Sequence, residues 1–349
     1  MHGKWLAAIT LLLAPGAAPA ESVKWGAEVV AGGLNHPWSI AFLPHGGVLV
    51  TERDGKLKRI VGGAITRIGG VPRVLNEGQA GLFDVVLDPG FEQNNLIWLS
   101  YASGSARSNA LTIARARLLP NRLAELTVVH RLPPKSTSVH FGGRMAFLPD
   151  GSLLVTTGDG FDQREKAQLP LSELGKVLRI APGGQVSVYT LGHRNPQGLA
   201  FDPVRGVVFE HEHGPRGGDE VNVLKPGHNY GWPIATRGRD YSGATISPFR
   251  SYPGMDEPLL SWTPSIAPSG LAIYRGRMFP EWNGDLLVGA LVDRDVKRVR
   301  LAQDGAVLGQ ESLFAGLKAR IRSVAVAPDG AIWLTTDADS GQLLRISRR

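Results

Sequence analysis

The sequence has no cysteine. Disulfides, thiolate metal sites and thiol nucleophiles are therefore excluded, and stability has to come from packing alone. Helical periodicity is nearly absent. No G-x-S-x-G, Walker loop or Rossmann fingerprint occurs, so serine hydrolysis and nicotinamide chemistry have no motif behind them. Charge is not gathered into blocks either. Lys and Arg number 38 against 31 acidic residues, for a formal charge of +7, but they are spread along the chain. Nucleic-acid binding wants a clustered basic patch with aromatics and is not indicated. Surplus arginine suits a pocket for a small anionic ligand instead.

Long apolar runs are also missing. The one near the start, Trp5 to Ala14, falls well short of the roughly 20 residues a membrane span needs. Lys4 precedes it and Ala18-Pro19-Ala20 follows. Residues 1–20 read as a secretory signal peptide cleaved after Ala20. The expected mature protein, residues 21–349, is periplasmic or secreted, with no membrane span.

What is abundant is glycine (44) and proline (24). They punctuate short β-rich runs such as "GVLVTER", "LIWLSYA", "SLLVTTG", "GVVFEHE", "DLLVGAL" and "AIWLTTD", which predicts an all-β protein. Each run follows the same preamble: an apolar residue, a proline and a glycine-containing turn. The prolines are Pro44, Pro89, Pro149, Pro203, Pro280 and Pro328. Six weak repeats at this spacing match four-stranded propeller blades. The prediction is a six-bladed β-propeller forming one catalytic domain. The widest gap, from Pro203 to Pro280, is where functional insertions are expected.

That gap contains "FEHEHGPRGGDEVN" (209–222). His211 and His213 lie two apart on a strand and face one side, with Glu212 facing the other. Zinc would need a further ligand, for which His193 or His228 are candidates by position only. The following residues suit a harder ion. Gly214 and Pro215 can offer backbone carbonyls, Gly217-Gly218 permits a sharp turn, and Asp219 and Glu220 supply carboxylates, a donor set fit for calcium. Upstream, "LGHRNPQGLAF" carries Arg194, Asn195 and Gln197. Arg194 there can pair with a carboxylate. His140, ahead of Gly142-Gly143, is a candidate general base. Gln79 sits between small residues before a strand. Arg320 and Arg322, with Lys318, form either a solvated edge or an anion clamp.

These segments together resemble the soluble quinoprotein sugar dehydrogenases, most closely the aldose sugar dehydrogenase branch. The likeness runs from about Leu34 to Ile346. It is carried by "NHPWSIAFLPHGGVLVTER", "GQAGLFDVVLDPGF", "HFGGRMAFLPDGSLLVTTGDG", "GHRNPQGLAFDP", "HGPRGGDEVNVLKPGHNYGWP", "WTPSIAPSGLAIY" and "RIRSVAVAPDG", in family order. The resemblance implies a six-bladed propeller that uses PQQ and calcium to oxidise aldose sugars at C1 to lactones, with hydride passing to PQQ. It implies that His140 is the general base and that Gln79, Arg194 and Asn195 contact PQQ, with Arg194 near the reactive carbonyl. Arg320 and Arg322 would bind the cofactor's carboxylates, and Gly214 and Pro215 its calcium. Glu220 and Tyr230 would hold a further, structural calcium. Gln79 and Trp262 are the candidate sugar contacts.

Two positions depart from the family. A lysine that often faces PQQ is replaced by Val292, which leaves Arg294 as the candidate substitute. Val139 stands where glucose-specific members have aspartate, which points to broad aldose use. The electron acceptor is unnamed by the resemblance, and monomer and homodimer both stay open. A calcium-dependent lactonase-like hydrolase and a sugar-binding module are the rival classes.

Overall fold

The computed structural model describes residues 23–349, so the expected signal peptide lies outside the described residues. No helix among the described residues is long and apolar enough to cross a membrane. The strands form six four-stranded antiparallel sheets, five of them wound in sequence order from an inner strand outwards. The inner strands are Pro37–Phe42, Leu82–Leu87, Gly142–Phe147, Pro196–Asp202, Pro268–Ile273 and Ile321–Val326. Each packs against its neighbours, and the last packs against the first, closing a ring around a central channel. This is the predicted six-bladed propeller.

The repeat in the sequence now has a physical identity. Each marker proline lies in the connection between the inner strand of a blade and its second strand. The second strands are Val48–Glu52, Leu96–Ser105, Leu153–Thr157, Val207–Glu212, Leu286–Ala290 and Ile332–Thr336. They are the β-rich runs singled out above. Their residues are almost wholly buried because they are covered on both faces by adjacent blades. That explains why they read as continuous apolar runs rather than alternating ones.

Blade six is completed from the other end of the chain. Trp25–Leu34 pairs antiparallel with Gly341–Arg348 as the outermost strand, so the ring is fastened by its own N-terminal segment.

All six inner strands share one irregularity. Each carries an extra residue near its start, a β-bulge against the second strand. A bulge re-aims side chains. Here the bulged segments hold Trp38, Phe83, Arg144, Gln197, Ser269 and Arg322. Four of these, Trp38, Phe83, Gln197 and Arg322, line the cavity at one end of the channel.

Candidate functional site

The cavity has a volume of about 370 Å³ and lies in the channel mouth. Its walls carry Gln79, Asn195, Arg320 and Arg322, four of the residues expected from the sequence, together with His213, His36 and Arg53. Arg322 donates to Asp337 at 2.8 Å, and Arg320 lies 3.6 Å from the same carboxylate. His36 contacts the other Asp337 oxygen at 2.7 Å. Although burial opposes its charge, the guanidinium of Arg322 and the His36 contact hold the Asp337 carboxyl far below the ordinary range. Two guanidiniums are thus set side by side on one wall by a single anion.

His140 sits beside this cavity, between lining residues Gln79 and Phe141. Its backbone N–H donates to Gln79 Oε1 at 2.8 Å. Its Nδ1 lies 2.7 Å from Asp159 Oδ1, and both side chains are buried. The same carboxylate accepts from the Phe161 N–H at 2.8 Å and, through Oδ2, from the Trp232 indole at 2.8 Å. With Asp159 accepting from Nδ1–H, Nε2 is left as the basic nitrogen. Burial lowers the His140 pKa, the Asp159 contact works against that, and Arg194 and Lys135 add to the lowering.

Arg194 is buried, and its Nη1 donates to the carbonyls of His213 (3.0 Å) and Gly214 (2.7 Å). Its Nη2 reaches the Tyr241 hydroxyl at 3.4 Å. Glu212 accepts from the backbone N–H groups of Arg194 and, at 3.2 Å, of Asn195. Trp232 and Tyr241 both come from residues 225–259, the long connection before the outer strand Leu260–Trp262. This is the insertion anticipated from the widest repeat gap.

The stretch 209–222 divides by strand alternation, as expected. His211 and His213 face blade five. His213 Nε2 lies 2.6 Å from the Pro268 carbonyl. Burial lowers both imidazoles to about 3, so both are neutral. On the opposite face, Glu210 and Glu212 meet His193, and the ligand atoms of these three lie within 4.8 Å of one another. Zinc ligation by the two histidines with His193 is therefore ruled out by geometry. His228 is also elsewhere, paired with Asp256 at 3.0 Å.

Glu220 and Asn222 pair in register with Glu212 and Glu210 and join this acidic face. Asn222 donates to Glu210 at 2.9 Å. Burial, with Glu212 beside it, raises the Glu220 carboxyl to about 8, and burial raises Glu210 strongly as well. Glu210 Oε1 and Asn222 Oδ1 are buried without a partner among the described residues. Tyr230 stacks on His193 with centroids 5.0 Å apart, and it lines a small cleft together with Glu220. Gly217 and Gly218 have φ of 76° and 74°, the turn the sequence suggested. Asp219 is committed to the loop. It accepts from Gly214 N–H and Ala267 N–H, both at 2.9 Å, and from Ser265.

Arg194 lies behind the lining residues Asn195 and His213, and Trp262 and Arg294 are not brought to the cavity. Trp262 is buried among Phe209, Leu286 and Val288, and its indole donates to Gln310 at 2.8 Å. It fills the core between blades four and five and has no face to offer a sugar. Arg294 is exposed with φ of 58°, while Leu291 and Val292 line the wall instead. The residue most missed is Asp159. Its only trace in the sequence is the Gly-Asp-Gly ending of "SLLVTTGDG", since its partners lie 19 and 73 residues away.

A propeller whose channel mouth combines paired guanidiniums with a carboxylate-held imidazole is a ligand-transforming site rather than a scaffold. The glucose/sorbosone dehydrogenase family model matches residues 34–345. The aldose sugar dehydrogenase of Escherichia coli is 36% identical over the full length of both chains. Its soluble apo-form crystal structure superposes with a TM-score of 0.88, covering 93% of this chain and 100% of that one. The PQQ-bound aldose sugar dehydrogenase of Streptomyces coelicolor is 30% identical with a TM-score of 0.77, covering 94% and 100%. The chain belongs to the glucose/sorbosone dehydrogenase family, a family of sugar oxidoreductases.

Proposed function

We propose that this protein oxidises a broad range of aldose sugars at C1 to the lactone, using PQQ and calcium, in the periplasm or outside the cell. The observation that carries the reading is the placement of the Asp159-held His140 beside a cavity walled by Arg320 and Arg322.

The residues fit the cofactor. PQQ is a flat ortho-quinone bearing three carboxylates, and Arg320, Arg322 and Arg53 offer cations around one cavity whose Trp38, Phe83 and Phe141 rings are flat and apolar. The donor set fits a hard cation as well. The carbonyls of His213 and Gly214 already converge on one cationic nitrogen of Arg194, and backbone oxygens of this kind suit calcium. The family resemblance assigns Gly214 and Pro215 to that ion, whose binding would draw the Gly214 carbonyl away from Arg194 Nη1. Glu220 and Tyr230 are assigned to a structural calcium beside the buried carboxylates of Glu210 and Glu212. When bound, the calcium–quinone pair supplies an electrophilic hydride acceptor.

The chain's own residues do the rest. Gln79, Arg194, Asn195, Arg320 and Arg322 hold and orient the cofactor. Asp159 fixes the His140 tautomer, and Nε2 takes the proton of the C1 hydroxyl. Arg194 keeps a fixed positive charge where negative charge develops, already oriented before the reaction. Reconstitution of apoprotein with PQQ and calcium tests the reading. The expected result is bound-quinone absorbance and dye reduction that depends on added aldose. Bound quinone with no reduction by any aldose overturns it.

A further inference from the structure

Lys135 is a buried ammonium that the chemistry above leaves without a task. Its residue is 5% exposed, although lysine is almost never buried without a counter-charge. Its Nζ donates to the carbonyls of Thr137 and Val139, the latter at 2.7 Å, and sits 3.7 Å from the Phe141 ring centroid. Its backbone pairs with Asn109 in both directions at 2.8 and 2.9 Å. The chain from 137 to 141 therefore wraps around one charged nitrogen anchored on blade two. His140 lies within that wrap at a φ of 50°. Thr137 Oγ1 donates to the Gly160 carbonyl at 2.5 Å, tying the wrap to the loop that carries Asp159.

We propose that Lys135 is a positioning residue for the base: its ammonium holds residues 137–141 in the conformation that presents His140. The inference rests on the reading of His140 as the general base. The charged groups facing His140 are Asp159, which favours a proton there, and Arg194 and Lys135, which oppose one. Those facing Lys135 are Asp159 and Asp162. Burial lowers the Lys135 ammonium to about 7. At the lower pH where an imidazole takes up its proton, Lys135 therefore carries its charge.

The test compares Lys135→Met, Lys135→Gln and Lys135→Arg. The His140 ring titration is followed by NMR in apoprotein, assigned with His140→Ala, beside steady-state kinetics of the reconstituted enzyme. Lys135→Met is expected to lower kcat about 10–100-fold with KM little changed, through a displaced base. It should also move the His140 titration, and the acid limb of kcat/KM, to higher pH. Lys135→Gln keeps a donor without the charge. It should recover part of kcat and none of the titration. Lys135→Arg should recover the titration. If Lys135→Met does not fold, Lys135→Gln carries the titration test.

Variants that lose thermal stability while the His140 titration and kcat stay unchanged would make the lysine merely structural and overturn the inference. Full turnover in His140→Ala would instead remove the reading of His140 as base. The apoprotein titration would then still decide whether Lys135 controls the imidazole.

Discussion

His140 adopts a φ of 50°, a region non-glycine residues enter at a cost of order 1–3 kcal/mol. The surroundings impose it. Gln79 holds the backbone N–H, Asp159 holds Nδ1, and the carbonyl lies so near Gly158 that a Cβ there would come within 2.2 Å of it. Strain held by that many contacts is pre-organisation of one side chain. His140→Ala is expected to lower kcat by about 10²–10⁴, measured on enzyme shown to retain quinone. The pH profile adds an independent check. The base acts as neutral imidazole, and burial lowers its pKa, so the acid limb of kcat/KM should lie below the ordinary histidine value of 6.5. Asp159→Asn removes the group that favours the proton, so the limb should move lower still while kcat falls through loss of the correct tautomer. A limb that moves to higher pH in Asp159→Asn would contradict this account.

At the scale of elements, blade four does most to build the site. Its inner strand follows Arg194 and Asn195. Its second strand points histidines one way and carboxylates the other. Its long connection delivers Trp232 and Tyr241. Much of this was legible in the sequence. The marker prolines show because every blade reuses one turn, and the period-two alternation of His211, Glu212 and His213 follows from strand geometry alone. Asp159, the meeting of Glu210 and Glu212 with His193, and the burial of Trp262 were not legible, because each depends on contacts between segments that strand periodicity alone does not bring together. The same face yields a metal prediction. Three carboxylates crowded on adjacent strands, with unpartnered oxygens on Glu210 and Asn222, would be stabilised by the divalent cation proposed there. Chelation should lower the thermal midpoint, and calcium should restore it. At calcium 100 times its Kd the stabilisation should be about 2.7 kcal/mol. Glu220→Gln should abolish most of this response. A calcium-independent melting curve in the unsubstituted protein would remove the structural ion.

At the scale of the whole molecule, one side chain touches every blade. Arg144 springs from the bulge of blade three and is 7% exposed in the channel. Its guanidinium lies 3.8 Å over the Trp38 ring of blade one and 3.8 Å from Asp84 of blade two. It donates to the carbonyl of Gln197 in blade four at 2.8 Å, to that of Ser269 in blade five at 3.5 Å, and to that of Arg322 in blade six at 3.2 Å. Three of these partners, Trp38, Gln197 and Arg322, also line the cavity, so the guanidinium lies under its floor. Burial raises the Asp84 carboxyl and lowers Arg144 to about 10, which shows that neither charge is at ease without the other. Removing only the cation should therefore be costly. Arg144→Met is expected to destabilise the protein by about 3–5 kcal/mol, because it leaves a buried carboxylate and three carbonyls uncompensated. Asp84→Asn added to it should recover part of that loss, since the partners couple. Urea unfolding of the two single variants and the double variant measures the coupling. If the losses simply add, the ring is held by its six interblade cores and its terminal strand, and Arg144 does no more than fill the channel.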